Sequence, residues 1–305
     1  MATLLRAIVF SFFVSTLPAQ VTVANLGYRI PSNVISAAPG QMVVISFANV
    51  TGKPRGSFNN LPGPSGYPLQ INGLSIKVTD GGAAPLDAGL IAYRRTDGPK
   101  PVTSLTVVIP TQLAVHSSGW FAFTGSLTLS DNGVVIAEFP FRPVPDNVHF
   151  LNSCDETGIF VSILVDVPTV SDCIPVVINK SALVTTSANP IRPGDGVAAY
   201  LYGLGAVELR DDPFRRPEPV QSFDLHFDYR PNAPASRAVP GYGLTSKPFF
   251  AVGFPGGLYQ VNFFVPPPPP GIDLPECDGT TIRSNLTVTL SGLNSFDSAS
   301  FCVRR

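Results

Sequence analysis

Four cysteines, Cys154, Cys173, Cys277 and Cys302, are the side chains of this sequence best suited to covalent chemistry, and all follow residue 150. An even number fits a disulfide framework in an exported chain. Three pairings are open. Local closure favours Cys154–Cys173 and Cys277–Cys302, because each pair flanks a candidate strand pair. Loop-closure entropy gives each such bridge about 3 kcal/mol. Zinc fits poorly, since the spacings are long and none of His116, His149 and His226 stands near a cysteine as a ligand would.

The densest carboxylates are Asp211-Asp212 and the pair Asp224 and Asp228. Such groups supply the hard oxygen ligands that Ca²⁺ takes. A solvated turn and a polar strand face are the simpler account, and the same holds for Asp155-Glu156 beside Cys154. On strict alternation His226 shares a face with Asp224 and Asp228, as an exposed strand face would have it. His116 and His149 have no partners that the sequence names. No nucleophile elbow, phosphate loop, His-Glu-x-x-His or calcium loop is present. Gly203-Leu-Gly205 and Gly253-Phe-Pro-Gly-Gly257 lack the following helix that a dinucleotide loop needs, and read as turns. No catalytic, cofactor-binding or metal-binding residue is therefore assigned, and no cofactor is expected.

Aromatic side chains crowd one stretch of the second half: Tyr242, Phe249, Phe250, Phe254, Tyr259, Phe263 and Phe264. In a carbohydrate-binding sandwich, exposed rings would stack on sugar faces, with Tyr242, Phe249, Phe250, Phe254 and Phe264 as the ligand-facing set. In a plain sandwich most rings fill the core, where each buries a large area. The one tryptophan, Trp120, lies in the first half. Asn49-Val-Thr51, Asn179-Lys-Ser181 and Asn285-Leu-Thr287 fit the N-glycosylation triplet, which matters only where the source makes that modification.

The elements that must position these groups are strands. The 305 residues include 32 Pro and 27 Gly spread through the chain, with runs of Val, Ile, Phe, Leu and Thr between them. Frequent turns between β-formers describe an all-β sandwich. Apolar residues make up 44%, too many for a disordered chain. Lys+Arg and Asp+Glu nearly balance at 20 and 21, which argues against nucleic acid as partner. Predicted strands include 21–26, 42–47, 90–94, 104–109 and 120–129, and 134–141 pairs back across an Asp131-Asn-Gly133 turn. Residues 51–68, rich in Pro and Gly, read as an exposed loop, and 69–78 as two short strands about Asn72-Gly73. In the second half, 159–165, 173–178, 196–202, 221–229, 249–254, 258–265, 287–290 and 300–303 read as strands. Alternation in 258–265 puts Tyr259, Val261, Phe263 and Val265 on a core face, and Leu258, Gln260, Asn262 and Phe264 on the other. The region 142–188 joins two bodies.

The N-terminus carries one Arg, then an apolar run over Ala7–Val14, then Pro18-Ala19 before Gln20. That order reads as a secretory signal peptide over 1–19, too short to span a bilayer as an anchor. The mature chain is expected to start near Gln20, with no membrane span.

Four motifs carry a family resemblance. They are Asn189-Pro-Ile-Arg-Pro-Gly194, Gly203-Leu-Gly205, Gly257-Leu-Tyr-Gln-Val-Asn-Phe-Phe-Val-Pro266 and Ser284-Asn285. In this order the chain resembles the secreted C-terminal domain family expanded in Solibacter-type acidobacteria. The resemblance covers about 150–303 well and 30–150 weakly. It departs at the Pro266–Pro270 run, at Cys277 and Cys302, and in the long apolar first half. It implies an immunoglobulin-like or IPT/TIG-type sandwich and no catalytic chemistry. The expected plan is all-β: two immunoglobulin-like β-sandwich domains in tandem, 20–185 divergent and 186–305 closer to the family, after a signal peptide. The expected role is a secreted structural or adhesive protein of the bacterial envelope or extracellular space, periplasm included. Its partners would be itself, other envelope proteins or polysaccharide. A carbohydrate-binding module using exposed aromatic rings and an extracellular hydrolase with no recognised motif are the alternatives.

Overall fold

The structure is a computed structural model that describes residues 20–26, 34–59, 66–82, 84–96, 98–115, 125–155, 173–179, 184–185, 189–205, 207–208, 218–234, 243–246, 249–250 and 257–304. The expected signal segment 1–19, the predicted strand 159–165, and His116, Trp120, Asp211, Asp212, Tyr242 and Phe254 lie outside them. Every regular element among the described residues is a strand.

Two five-stranded sheets make the first body. One runs β1 (Thr22–Asn25), β3 (Met42–Ala48), β8 (Val102–Val108), β7 (Gly89–Arg95), β4 (Gly56–Asn59). The other runs β2 (Ile35–Ala37), β10 (Val134–Pro143), β9 (Gly125–Asp131), β5 (Leu74–Val78), β6 (Leu86–Asp87). All pairs are antiparallel except β2 with β10. Alternation sends Val43, Ile45, Phe47, Leu105 and Val107 of the first sheet, and Leu74, Ile76, Leu127, Leu129 and Phe141 of the second, into one shared cluster. The β9–β10 hairpin closes as the sequence predicts, with Asn132 and Gly133 both at positive φ (48° and 84°).

Two expectations shift here. The 51–68 loop contains a strand, β4, which pairs antiparallel with β7. Its four residues are all exposed, so no apolar alternation marked it. Of the two strands predicted in 69–78, only β5 forms. Its partner is a single bridge, Ile71 to Leu74, around Asn72-Gly73.

The second body has one sheet of β11 (His149–Phe150), β13 (Gly196–Tyr202), β19 (Tyr259–Phe264) and β18 (Phe249–Phe250), with β12 (Val177–Asn179) also on β13. A four-stranded sheet runs β17 (Gly243–Ser246), β16 (Phe223–Asp228), β20 (Leu286–Ser291), β21 (Phe296–Phe301), and a small ribbon joins β14 (Val207–Glu208) to β15 (Glu218–Pro219). Val197, Ala199, Leu201, Val261 and Phe263 meet Leu225, Phe227, Val288, Leu290 and Phe301 in a second cluster, which also takes in Val148, Phe150 and Val177. Phe227 and Phe263 pack edge to face, 5.6 Å between centroids. Cys154 is bonded to Cys173, and Cys277 to Cys302.

A third cluster bridges the bodies. Met42, Ile91 and Val108 come from the outer face of the first sheet. They pack with Tyr200, Tyr202 and Leu258 from the outer face of β13–β19, and with Leu151, Val176, Ile178 and Val184.

Candidate functional site

A set of well-partnered polar side chains lies on the segment 145–155 that joins the bodies. Asn147 faces the first body: its Nδ2 donates to Gln41 Oε1 (3.1 Å), and Gln41 Nε2 donates to the Asn147 carbonyl (3.3 Å). Gln41 Oε1 also accepts the Ala38 N–H at 2.9 Å, so this buried amide pair is well satisfied. Asp146 faces the second body. It accepts the backbone N–H groups of Asn294 (2.9 Å) and Ser295 (2.7 Å) in the β20–β21 turn. Ser295 Oγ in turn accepts the Val148 N–H at 2.7 Å.

His149 follows at the start of β11, only 8% exposed. Its Nε2 lies 2.9 Å from Asp155 Oδ2 and its Nδ1 3.0 Å from Asp297 Oδ2. The same carboxylates accept the N–H groups of Asn152 and Phe150, both at 2.8 Å. Ionised carboxylates only accept, so an imidazole between two of them is best matched as the doubly donating imidazolium. Burial pushes the His149 pKa down. The hydrogen bonds and charges of Asp155 and Asp297 outweigh that, and the net shift is upward. Among the described residues no group of three or more His, Cys, Asp or Glu has the arrangement to hold a metal ion.

Two recesses open on either side of the joint. A cleft of about 560 Å³ is lined by Val44, Ser57, Asn59, Ser104 and Thr106 of the first body, with Asp155 at its edge. A shallower groove of about 280 Å³ lies on the outer face of β13–β19, around Gly196, Ala198, Asn262 and Phe264. Register pairs Gly196 with Phe264 and Ala198 with Asn262. Gly196 has no side chain, and one edge of the Phe264 ring packs beside it: a Cβ there would sit 3.5 Å from Phe264 Cε1. Phe264 is 72% exposed.

Comparison with known proteins adds little to this geometry. No family model matches the chain, and no curated protein matches it. Among solved structures, it aligns with the Yersinia pseudotuberculosis adhesin InvE at 13% identity and a TM-score of 0.18, covering 88% of this chain and 56% of that one. The chain thus spans little more than half the adhesin's length, and a TM-score that low carries no argument about fold or role. No described helix is long and apolar enough to cross a membrane.

The aromatic set divides. Phe264 is exposed, while Tyr259 and Phe263 are core residues, as the alternation predicts. Phe249 and Phe250 form β18, paired with Gln260 and Tyr259. Two carboxylates expected in solvated positions are buried instead. Asp155 is held by His149, and Asp228, at the end of β16, is bonded by Arg230 Nε at 3.0 Å. Alternation fails for Asp228 because the chain turns there and brings Arg230 back onto it. Asp224 remains exposed and His226 half-exposed.

The motif residues serve the frame. Gly203 (φ 79°) is a point of close approach to the connecting segment, and Gly257 (φ 69°) one to the first body. A Cβ on Gly203 would lie 2.0 Å from the Asn147 carbonyl oxygen, and one on Gly257 2.2 Å from that of Gly40. Tyr259 donates its hydroxyl to the Gly205 carbonyl at 3.1 Å, and burial raises its pKa. Asn285, fully buried, donates to the Pro275 and Val303 carbonyls (2.8 and 2.7 Å) and accepts the Val303 N–H at 2.7 Å. The His149 cluster was invisible in the sequence, because its members are 6 and 148 residues apart.

Proposed function

We propose that the chain is a secreted, non-catalytic structural or adhesive protein of the bacterial envelope or extracellular space. On this reading it is two immunoglobulin-like sandwiches in tandem, 20–185 and 186–305, related to the acidobacterial secreted family that its motifs resemble. β11 and β12 of the connecting stretch add strands to the second sandwich.

The observation that carries the reading is what the chemically capable side chains are engaged in. His149, Asp155 and Asp297 bond one another and nearby backbone, Asp146 caps a turn, and all four cysteines are in disulfides. The side chains left at the surface suit contact: Val134 and Val135 at a hairpin tip are 66% and 58% exposed, and Phe264 more so. Isolated exposed apolar groups are ordinary. The buried cluster shared by the two bodies is what favours a presenting scaffold.

Purified mature protein incubated with the producing cell's envelope, against a blank resin, tests the reading. Saturable retention without release of soluble sugar or peptide is expected. Release of reducing ends in proportion to protein and time would overturn it in favour of a hydrolase.

A further inference from the structure

The outer face of β13–β19 changes character along its length. Gln260, Asn262 and Phe264 form one row on β19, continued by Leu258 just before it, and Tyr200, Ala198 and Gly196 form the row beside it, continued by Tyr202. At one end Leu258, Tyr200 and Tyr202 are buried against the first body. At the other, the first body no longer covers the sheet, and Asn262 and Phe264 are exposed. The groove there is lined by Ile178, Asn179, Gly196, Ala198, Asn262 and Phe264, with Val197 and Phe263 beneath, and among the described residues no charged side chain lines it.

We infer that this end of the face is a saccharide subsite, with Phe264 as its stacking platform, and that it takes a neutral polysaccharide. This subsite gives the adhesive reading its ligand and rests on that reading. Three features support it. One edge of the ring packs beside a glycine, whose Cβ position is 3.5 Å from Phe264 Cε1, and the ring is otherwise largely exposed. Sugar C–H groups pack on an aromatic face through its negative quadrupole. Beside the ring, Gln260 Nε2 donates to Asn262 Oδ1 at 2.7 Å. Asn262 makes no other hydrogen bond among the described residues, which leaves its amide N–H groups to donate to a hydroxyl. A ring flanked by amides and no charge matches a polyol. Among the described lining residues an anionic chain would meet no cation to offset its desolvation, and an apolar peptide would leave the amide unsatisfied.

Pull-down isotherms on cellulose, chitin and curdlan, all neutral, and on anionic alginate test the inference. Retention on at least one neutral polysaccharide and none on alginate is expected. Phe264→Ala should weaken that retention about tenfold, and Asn262→Ala about fivefold. Phe264→Trp should keep it. Unchanged thermal midpoints would show that these surface variants are folded. Failure of the wild-type chain to bind any of the three, or equal binding by Phe264→Ala, would overturn the subsite. So would Phe264-dependent self-association in sedimentation without saccharide, since a second copy would then be the occupant. The same variants on producing-cell envelope separate the two levels. Envelope binding that survives Phe264→Ala unchanged removes the subsite and keeps the adhesive role, whereas no envelope binding by the wild-type chain removes that role.

Discussion

Asp297, on β21, reaches across to the connecting segment and places its Oδ2 3.0 Å from His149 Nδ1 and 2.8 Å from the Phe150 nitrogen. One carboxylate thereby fixes both a side chain and a backbone group of β11 at the edge of β13. With Asp155 on the opposite ring nitrogen, His149 titrates inside a closed set of partners.

That set makes stability depend on pH. The folded pKa of His149 lies above its unfolded value, near 6.5. The native state therefore holds its proton more tightly. The stabilisation is fully present below pH about 6.5 and fades as pH rises through the folded pKa. Thermal midpoints across pH 5 to 9 should fall over that window in the wild-type chain and flatten in His149→Gln. Parallel profiles for both chains would contradict the assignment.

Removal of either carboxylate should cost stability unequally. Asp155 is the more enclosed, at 5% side-chain exposure against 30% for Asp297. Breaking the buried partner, Asp155→Ala, should cost about 3 kcal/mol in denaturant unfolding, and Asp297→Ala about 1 kcal/mol. The reverse order would mean that the backbone contacts of Asp297 outweigh burial.

At the joint, Gly203→Ala should destabilise by about 2 kcal/mol or more, because a positive φ and a carbonyl oxygen in the way act together. Gly82, which has open space around it, is the control, and Gly82→Ala should change stability by less than about 0.5 kcal/mol. Differential scanning of both variants decides the matter.

Cys277 and Cys302 close a separation of 25 residues at the edge of the second core. Nonreducing peptide mapping should recover the peptide pair 277–302 and the pair 154–173, with no free thiol. Cys277→Ala with Cys302→Ala should lower stability by about 3 kcal/mol. A free thiol at either position in freshly secreted protein would sink the pairing.

Much of the frame was legible because local physics dictates it. The run Gly196–Tyr202 was predicted to the residue, and the alternation in 258–265 placed Tyr259, Val261 and Phe263 inside and Phe264 outside. Asn132-Gly133 announced its hairpin through the dihedrals such a turn demands. β4 was missed because its residues are all exposed and its one aromatic contact, Phe58 with Tyr93, leaves no alternation to read. β2 was missed because three residues parallel to a distant strand leave no periodic trace. The joint was missed for a different reason. Gln41 and Asn147 are 106 residues apart, and nothing in either neighbourhood tells a buried amide from a surface one.

The shared cluster of Met42, Ile91, Tyr200, Tyr202 and Leu258 also limits how this chain can be cut or recombined. A fragment beginning at residue 186 would lose β11 and β12, leaving one edge of β13 unpaired, and would bare two tyrosines and a leucine on the adjoining face. Such a piece would be prone to stick to copies of itself. The two halves are therefore not interchangeable beads on a string: transplanting the second into another protein requires carrying the connector along and refilling the face that the first half now shields.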